Sequence, residues 1–188
     1  MQFCTQCDSK LVKSRNGQKC PKCDKGELEQ LEIQKNNEKK ASIISSENFP
    51  FEKGSYYVQK DVRKKLNCGI MSGINYNQEG NFIVIFMNAH ELNKQETNPY
   101  LDRYDSETGL YHYTGKGLKG DQTLTGVNAR LASSTVDGID IHFFRQHNVG
   151  SNHEYVGLVK LEKVIQNLQP DEHGKSRKVY EFLLRPVE

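Results

Sequence analysis

Four of the five cysteines lie within the first 23 residues and form two pairs of equal spacing. Two residues separate Cys4 from Cys7 and Cys20 from Cys23, and twelve residues lie between the pairs. Such pairs let their thiols converge on one point and complete the tetrahedral set of four sulfurs that Zn²⁺ prefers, with Zn–S bonds of about 2.3 Å. The spacing predicts one structural zinc ion, without an open coordination position for catalysis.

Two disulfides are the alternative use of these four thiols. The N-terminus, MQFCTQCDSK, lacks the apolar stretch of a secretory signal, and no apolar run approaches the length of a membrane-spanning helix. We therefore expect an intracellular, reducing location, where zinc is favoured over disulfides, and no membrane partner. Cys68 stands apart from the four, and we expect a buried free thiol.

The segment MQFCTQCDSKLVKSRNGQKCPKCDKGELE resembles a zinc ribbon, in which two cysteine knuckles flank a hairpin with its turn at Asn16-Gly17. Residues 34–48 are polar and without sustained periodicity, which is typical of a linker. The sequence thus predicts a zinc ribbon over 1–33, a linker over 34–48 and a second domain over 49–188.

The second domain combines short apolar runs with two helical patterns. The runs predict strands at residues 81–87, 139–146, 155–164 and 180–184. Helices are predicted at 59–67 and at 123–133, where Thr123 is the expected cap and Leu124, Val127 and Leu131 share one face. Several strands with two helices indicate an α+β fold built on a β-barrel with flanking helices.

The charge is nearly balanced, which limits how this chain could bind nucleic acid. Residues 1–50 hold 9 Lys and Arg against 7 Asp and Glu, and residues 51–188 hold 17 against 17. Proteins that bind duplex DNA by bulk electrostatics are usually far more basic. Any nucleic-acid binding must therefore depend on local patches and a specific pocket.

A stretch in the middle of the second domain carries a specific family resemblance. YTGKG at 113–117, followed by GDQTLTGVNARLASS at 120–134, resembles the core of the SET- and RING-associated (SRA) domain of the PUA-like superfamily. MSGIN, DGIDIHFFRQ, YVGLVKLEKV and VYEFLLRP agree with other family segments in order, so that the resemblance covers residues 51–186. It implies a reader of modified cytosine in double-stranded DNA that rotates the base into an aromatic pocket.

The resemblance also implies which side chains form that pocket. Tyr113 would stack on one face of the flipped base, and Thr114 would line the pocket. A second tyrosine would cover the other face, and an aspartate would accept a hydrogen bond from the cytosine amino group. This pair has two matches in the sequence: Tyr100 with Asp102, which we prefer, and Tyr104 with Asp105.

Further residues are candidates for contacts with the DNA backbone, because they combine small size with local positive charge. They are Ser72, Gly73, Gly115, Lys116, Gly117, Lys119, Arg130 and Arg145. We expect Asp121, Gln122 and Asn128 to tie the loop to the following helix rather than to contact the ligand. The loop between the TG and DQ pairs is only KGLKG, shorter than the insertion that fills the vacated base position in eukaryotic SRA domains.

Three functions remain open at this stage. The favoured one is a non-catalytic reader of modified cytosine, as the recognition part of a modification-dependent restriction system whose nuclease lies on another chain or beyond residue 188. The alternatives are recognition of phosphorothioate DNA and an RNA-binding or transcription-associated ribbon protein. His142, His147 and His153 are too closely spaced for a metal-binding nuclease hairpin, and strands occupy that segment, so we expect no enzyme activity.

Overall fold

The chain divides into two compact units, one from Met1 to Ile43 and one from Ile44 to Glu188. The computed structural model describes residues 2–14, 17–24, 29, 32, 33, 35, 44–69, 73–89 and 100–188. The boundary falls within the predicted linker, and residues 34 and 36–43 of that linker lie outside the described part. Ile44, within the same predicted segment, packs against the core of the second unit.

The first unit contains a short antiparallel hairpin next to the cysteine pairs. Strand β1 (Val12–Ser14) pairs with strand β2 (Gly17–Lys19), and the register joins Ser14 to Gly17. Gly17 has a φ of +114°, a backbone conformation that only glycine adopts readily. The hairpin agrees with the ribbon predicted from the sequence, although Asn16 of its turn lies outside the described residues.

The second unit is dominated by one mixed sheet, which has eight strands among the described residues. Its strands are β3 (Tyr56–Tyr57), β4 (Ile74–Asn77), β5 (Phe82–Met87), β6 (Arg103–Asp105), β7 (Leu110–Thr114), β8 (Asp140–Gln146), β9 (His153–Pro170) and β10 (Ser176–Pro186). The order is β4-β5-β8-β9-β10-β7-β6, and β3 pairs with β9. Strands β5 and β8 are parallel, whereas the other pairs are antiparallel.

The sheet curls so that strands distant in its order pack face to face. Tyr111 of β7 lies 4.5 Å, centroid to centroid, from Phe143 of β8, although two strands separate them in the sheet. The enclosed cluster includes the fully buried Ile85 and Phe182. A second cluster, which includes Val62 and Phe144, fills the opposite face. The sheet therefore has the barrel-like α+β form expected from the sequence.

Two short helices flank the sheet. Helix α1 (Gln59–Lys65) is two residues shorter than predicted, and helix α2 (Gly126–Ala132) begins after Thr125 rather than at the predicted cap Thr123. Leu131 is buried as expected, but Leu124 precedes the helix and is 40% exposed, so it does not belong to the buried face. Among the described residues, no helix combines the length and the apolarity that crossing a membrane requires.

Two of the three histidines in the segment 142–153 are buried in strands, whereas His147 is exposed just after β8 and pairs with Glu154. His142 lies between the hydroxyls of Ser46 and Tyr155, at 2.9 and 2.6 Å, and burial lowers its pKa to about 3. His153 contacts Asn88 at 2.9 Å, and burial lowers its pKa to about 4. Both imidazoles are neutral at neutral pH and serve as hydrogen-bonding core residues.

Replacing a valine with alanine at a buried position and at an exposed position tests where the core lies. Val159 is 3% exposed inside the main cluster, whereas Val136 is 90% exposed. Val159→Ala removes buried carbon and leaves a cavity, so it should lower the free energy of unfolding by about 2 kcal/mol. Val136→Ala should change it by less than about 0.5 kcal/mol. Urea denaturation measures both, and equal effects would place Val159 outside the core.

Candidate functional site

A cleft of about 310 Å³ opens where the parallel strands β5 and β8 end. It is lined by residues 87–89 at the end of β5, by residues 145–147 at the end of β8, and by Asp102 just before β6. Because β5 and β8 are parallel and pair Met87 with Arg145, their carboxyl ends meet at the same edge. The topology therefore builds this cleft from segments that are far apart in the sequence.

Asp102 places a carboxylate in the wall of this cleft. Its Oδ1 accepts a hydrogen bond of 2.7 Å from the backbone N–H of Thr114. Burial raises its pKa to about 7, and the charge of Glu181 adds to the shift, while the hydrogen bonds from Thr114 oppose it. A carboxyl group with such a pKa is available in both protonation states near neutral pH, which is typical of functional sites.

Tyr113 and Thr114 follow in the neighbouring strand β7. Extending the β6–β7 register by one residue places Asp102 opposite Tyr113. The Tyr113 ring is only 5% exposed, and its hydroxyl donates to the carbonyl oxygen of Phe86 at 3.4 Å. The Thr114 hydroxyl donates to Gln169 at 3.2 Å. The structure therefore brings both residues next to Asp102, with the Tyr113 ring covered by protein.

Tyr100 connects this site to the short loop after β7. The N–H of Gly117 donates to the Tyr100 hydroxyl at 3.3 Å. Burial raises the pKa of Tyr100, and Asp102 is close enough to contribute to that shift. The preferred pair, Tyr100 and Asp102, thus lies together with Tyr113 and Thr114.

The second candidate pair, Tyr104 and Asp105, has a different environment. Tyr104 is 45% exposed and packs on Tyr111, with 4.8 Å between ring centroids. Asp105 accepts hydrogen bonds from the N–H of Glu107 at 2.9 Å and from the hydroxyl of Thr108 at 2.7 Å, which lower its pKa. Asp105 stabilises its own turn and does not line the cleft.

Two buried amides fix the loop after β7, but only Asn128 ties it to the following helix as predicted, because Gln122 and Asp121 bond to β10 instead. Gln122 donates to the carbonyl oxygens of Gly115 at 2.5 Å and Gly117 at 3.2 Å, and it accepts from the N–H of Tyr180. Asn128 accepts from the N–H of Lys116 at 2.8 Å and donates to its carbonyl oxygen at 2.9 Å. Asp121 accepts from the N–H of Lys178 at 2.8 Å. These contacts tie the loop to β10 and α2.

The predicted backbone-contact residues of this loop divide into packed and exposed positions. A Cβ at Gly115 would lie 3.0–3.1 Å from Gln122, Asn128 and Phe182, so close packing explains this glycine. Gly117 has a φ of +136°. Lys116 and Lys119 are exposed, and Lys119 pairs with Glu172 at 2.9 Å.

The remaining predicted contacts are not collected on one surface. Arg145 lines the cleft, pairs with Glu154 at 3.4 Å and lies 5.5 Å from the centroid of Tyr111. Arg130 is exposed on α2 and covers the ring of Tyr76. Gly73 approaches Tyr113 so closely that a Cβ there would overlap the tyrosine hydroxyl. Ser72 lies outside the described residues.

Sequence reasoning missed several polar residues at this edge of the sheet. Asn88, Gln146 and His147 line the cleft at the ends of the parallel strands. Gln169 and Arg177, each 3% exposed, contact the site from the β9–β10 hairpin. No local motif marks these positions, because only the strand pairing brings them to the site.

The four N-terminal cysteines converge as their spacing predicts. Their sulfurs all lie within 4.8 Å of one another, with Cys7 at 3.3 Å from Cys20 and Cys4 at 3.9 Å from Cys23. A tetrahedron with Zn–S bonds of about 2.3 Å has S–S edges of about 3.8 Å. The donor set therefore fits a structural metal ion.

Solved structures with a similar fold are SRA domains and proteins that contain them. The sulfur binding and SRA domains of ScoMcrA, complexed with phosphorothioated DNA, match at 20% identity with a TM-score of 0.60, over 73% of this chain and 40% of that chain. The SUVH5 SRA complex with methylated CHH DNA matches at 23% identity with a TM-score of 0.54, over 74% and 90%. SUVH6 of Arabidopsis thaliana matches at 24% identity with a TM-score of 0.55, over 88% and 33%.

These likenesses identify the second unit as an SRA fold, as the sequence predicted. Residues 53–188 match the family described as "ScoMcrA-like, SRA domain", and the chain belongs to that family. It spans 40% of the ScoMcrA fragment and 28% of the ScoMcrA restriction endonuclease. No protein with a curated description matches the chain.

Asp102 should make stability depend on pH. Its folded-state pKa of about 7 lies above the ordinary value of 3.8, so ionisation is disfavoured in the folded state. Below about pH 3 the carboxyl is protonated in both states and there is no penalty, whereas the penalty grows between about pH 4 and pH 7 and levels off above pH 7. Asp102→Asn removes the ionisation. The free energy of unfolding of the Asp102→Asn variant, minus that of wild type, should therefore increase from pH 4 to pH 8 by up to about 4 kcal/mol.

Chemical denaturation of both proteins across this pH range measures the difference. Effects of pH on other groups cancel in the comparison. A difference that is independent of pH would mean that the Asp102 carboxyl is not buried as described.

Proposed function

We propose that the second unit is a non-catalytic reader of modified cytosine in double-stranded DNA, which takes the flipped base into the cleft beside Asp102. The observation that carries this proposal is a half-buried carboxyl group in the wall of a cleft, oriented by the N–H of Thr114. Membership of the SRA family supports it, as do the modified DNAs named for the SUVH5 and ScoMcrA structures.

The chemistry of cytosine suits this carboxyl group. The base presents an amino donor beside the N3 acceptor on its pairing edge, and a flipped base exposes that edge to the protein. An ionised Asp102 accepts from the amino group, and a protonated Asp102 can also donate to N3. The pKa of about 7 makes both forms accessible at neutral pH.

Two tyrosines near Asp102, which do not line the cleft in this structure, would supply the aromatic surfaces of the proposed pocket. Tyr100 and Tyr113 lie next to Asp102, and stacking of a base on an aromatic ring contributes about 1–3 kcal/mol. Because the Tyr113 ring is covered, binding would have to uncover it. Arg145 and the exposed Lys116 would face the DNA backbone.

We further propose that the chain provides recognition in a modification-dependent restriction system, with cleavage supplied by a nuclease outside this sequence. The matched part of ScoMcrA belongs to a structure described as a type IV phosphorothioation-dependent restriction endonuclease. That protein has a sulfur binding domain in addition to its SRA domain, and the family match here is to the SRA domain. This supports modified cytosine over phosphorothioate as the ligand.

For the first unit we propose one structural Zn²⁺ held by Cys4, Cys7, Cys20 and Cys23. Four thiolates at tetrahedral spacing favour zinc, and a segment of this size has too little core to fold without metal. The zinc would stabilise the ribbon, leaving its outer surface for a DNA or protein contact.

DNA binding is tested with otherwise identical duplexes that contain C, 5-methyl-C, 5-hydroxymethyl-C or phosphorothioate, together with an RNA duplex, at one salt concentration. Wild type should bind a duplex with modified cytosine more tightly than the others. Asp102→Asn should weaken that binding by about 5- to 150-fold, the equivalent of 1–3 kcal/mol for a base contact. The N–H of Thr114 would hold the new amide oxygen and leave its NH₂ facing the cytosine amino group.

Asp105→Asn is the matched control, because Asp105 hydrogen-bonds within its own turn, lies 4.0 Å from Nε2 of His112 and does not line the cleft. It should bind as wild type does. Equal affinity of wild type for all DNA duplexes would contradict the proposal, and preference for RNA would favour the ribbon-protein alternative.

Elemental analysis should find one zinc per chain. Cys23→Ser should reduce zinc binding, whereas Cys68→Ser, outside the cluster, should leave the stoichiometry at one. Chelation should unfold the first unit and spare the second, which has its own core. Absence of zinc, or disulfides among the four cysteines, would refute this assignment.

A further inference from the structure

Two buried polar residues lie directly opposite each other in the β9–β10 hairpin. Gln169 of β9 and Arg177 of β10 are register partners, and each is 3% exposed. Both lie outside the segments that carry the family resemblance. Each also hydrogen-bonds to a different segment near the cleft, outside the hairpin.

Gln169 holds the backbone on both sides of Asp102. Its Oε1 accepts from the N–H of Leu101 at 3.4 Å and from the hydroxyl of Thr114 at 3.2 Å. Leu101 precedes Asp102 in the chain, and the N–H of Thr114 donates to the Asp102 carboxylate. One side-chain oxygen thus joins the two segments that set the position of this carboxylate.

Arg177 holds the loop that contacts Tyr100. Its Nη1 donates to the carbonyl oxygens of Gly117 at 2.5 Å and Gly120 at 3.5 Å. The N–H of Gly117 in turn donates to the Tyr100 hydroxyl. Gly117 therefore accepts from Arg177 through its carbonyl oxygen and donates to Tyr100 through its N–H.

Arg177 makes one hydrogen bond within the hairpin, from its Nε to the carbonyl oxygen of Pro170 at 3.4 Å, but this bond alone does not account for a buried guanidinium. A buried guanidinium is costly unless it is paired, and no carboxylate among the described residues lies within salt-bridge distance of Arg177. The Nη2 atom of Arg177 is buried, and none of the described residues offers it a hydrogen-bond partner. A methionine of similar length would fill this space without that cost.

We infer that Gln169 and Arg177 are positioning residues, which hold Asp102 and Tyr100 in the geometry that distinguishes a modified cytosine. This inference rests on the proposed function of the cleft. It extends that function to the hairpin, because small displacements of recognition groups are enough to lose selectivity.

The first test compares the same substitution at two positions of β9. Gln169→Leu removes the shared acceptor, whereas Gln166→Leu changes an exposed residue of the same strand. We expect the ratio of affinities for the modified and unmodified duplexes to fall about tenfold in Gln169→Leu and Arg177→Met and to stay unchanged in Gln166→Leu. Affinity for the unmodified duplex should be unchanged in all three variants.

The second test reports positioning without DNA. Amide hydrogen exchange at Leu101 and Thr114 should be about tenfold faster in Gln169→Leu, and exchange at Gly117 about tenfold faster in Arg177→Met. The amide of Ile141 in the core strand β8 should keep its wild-type rate. Gln166→Leu should alter none of these amides.

Unchanged local exchange in Gln169→Leu and Arg177→Met would overturn the inference. Parallel losses of core protection and of affinity for both duplexes would do so too, because they indicate a purely structural role. If wild type itself does not prefer modified cytosine, the proposed function fails. The exchange measurement then still decides whether the pair holds Asp102 and Tyr100 in place.

Discussion

Burial of strand β5 on both faces is the constraint on which the second unit depends. All six of its residues are buried, and they alternate between two cores: Ile83, Ile85 and Met87 contribute to one, and Phe82, Val84 and Phe86 to the other. A strand buried on both faces needs hydrogen-bonded neighbours on both edges, which β4 and β8 supply. Because β8 runs parallel to β5, both strands end at the same edge, and their burial ends there too.

The cleft lies at the point where this burial ends. Met87 is the last buried residue of β5, and Asn88 after it is exposed. At the edge of the core, Asp102 is desolvated enough for its pKa to rise to about 7, yet it still borders a cleft that a ligand can enter. The same carboxylate would be prohibitively costly deeper in the core and unremarkable on the surface. Its position thus follows from the strand arrangement.

The fold was predictable from the sequence wherever apolar periodicity or a motif marked it. The cysteine spacing, the strand at Phe82–Met87 and the role of Asn128 all follow from local patterns. Strands β9 and β10 were predicted too short, because their outer halves are polar and resemble a loop. A turn extends them: Asp171 accepts from the N–H groups of His173 and Lys175, and Gly174 has a φ of +76°.

That underestimated hairpin explains why two buried polar residues next to the candidate site escaped prediction. Tyr100, Asp102, Tyr113 and Thr114 were found by resemblance, and the structure brings them together. Gln169 and Arg177 become visible only once the strands reach Pro170 and Ser176, because their partners at the site lie 50 or more residues away. Local patterns report what a segment does for its own folding, whereas these two side chains act on other segments.

The short loop after β7 shows what such contacts achieve physically. The segment KGLKG contains two glycines with positive φ, so that an unsupported chain would sample many conformations and lose them on binding. Here Gln122, Asn128, Arg177 and Tyr100 all hydrogen-bond to the backbone of residues 115–120. The loop is thus ordered already when the protein folds, and this lowers the entropic cost of binding a ligand. A rigid short loop can therefore present Lys116 and the 45% exposed Leu118 to a ligand in one fixed geometry.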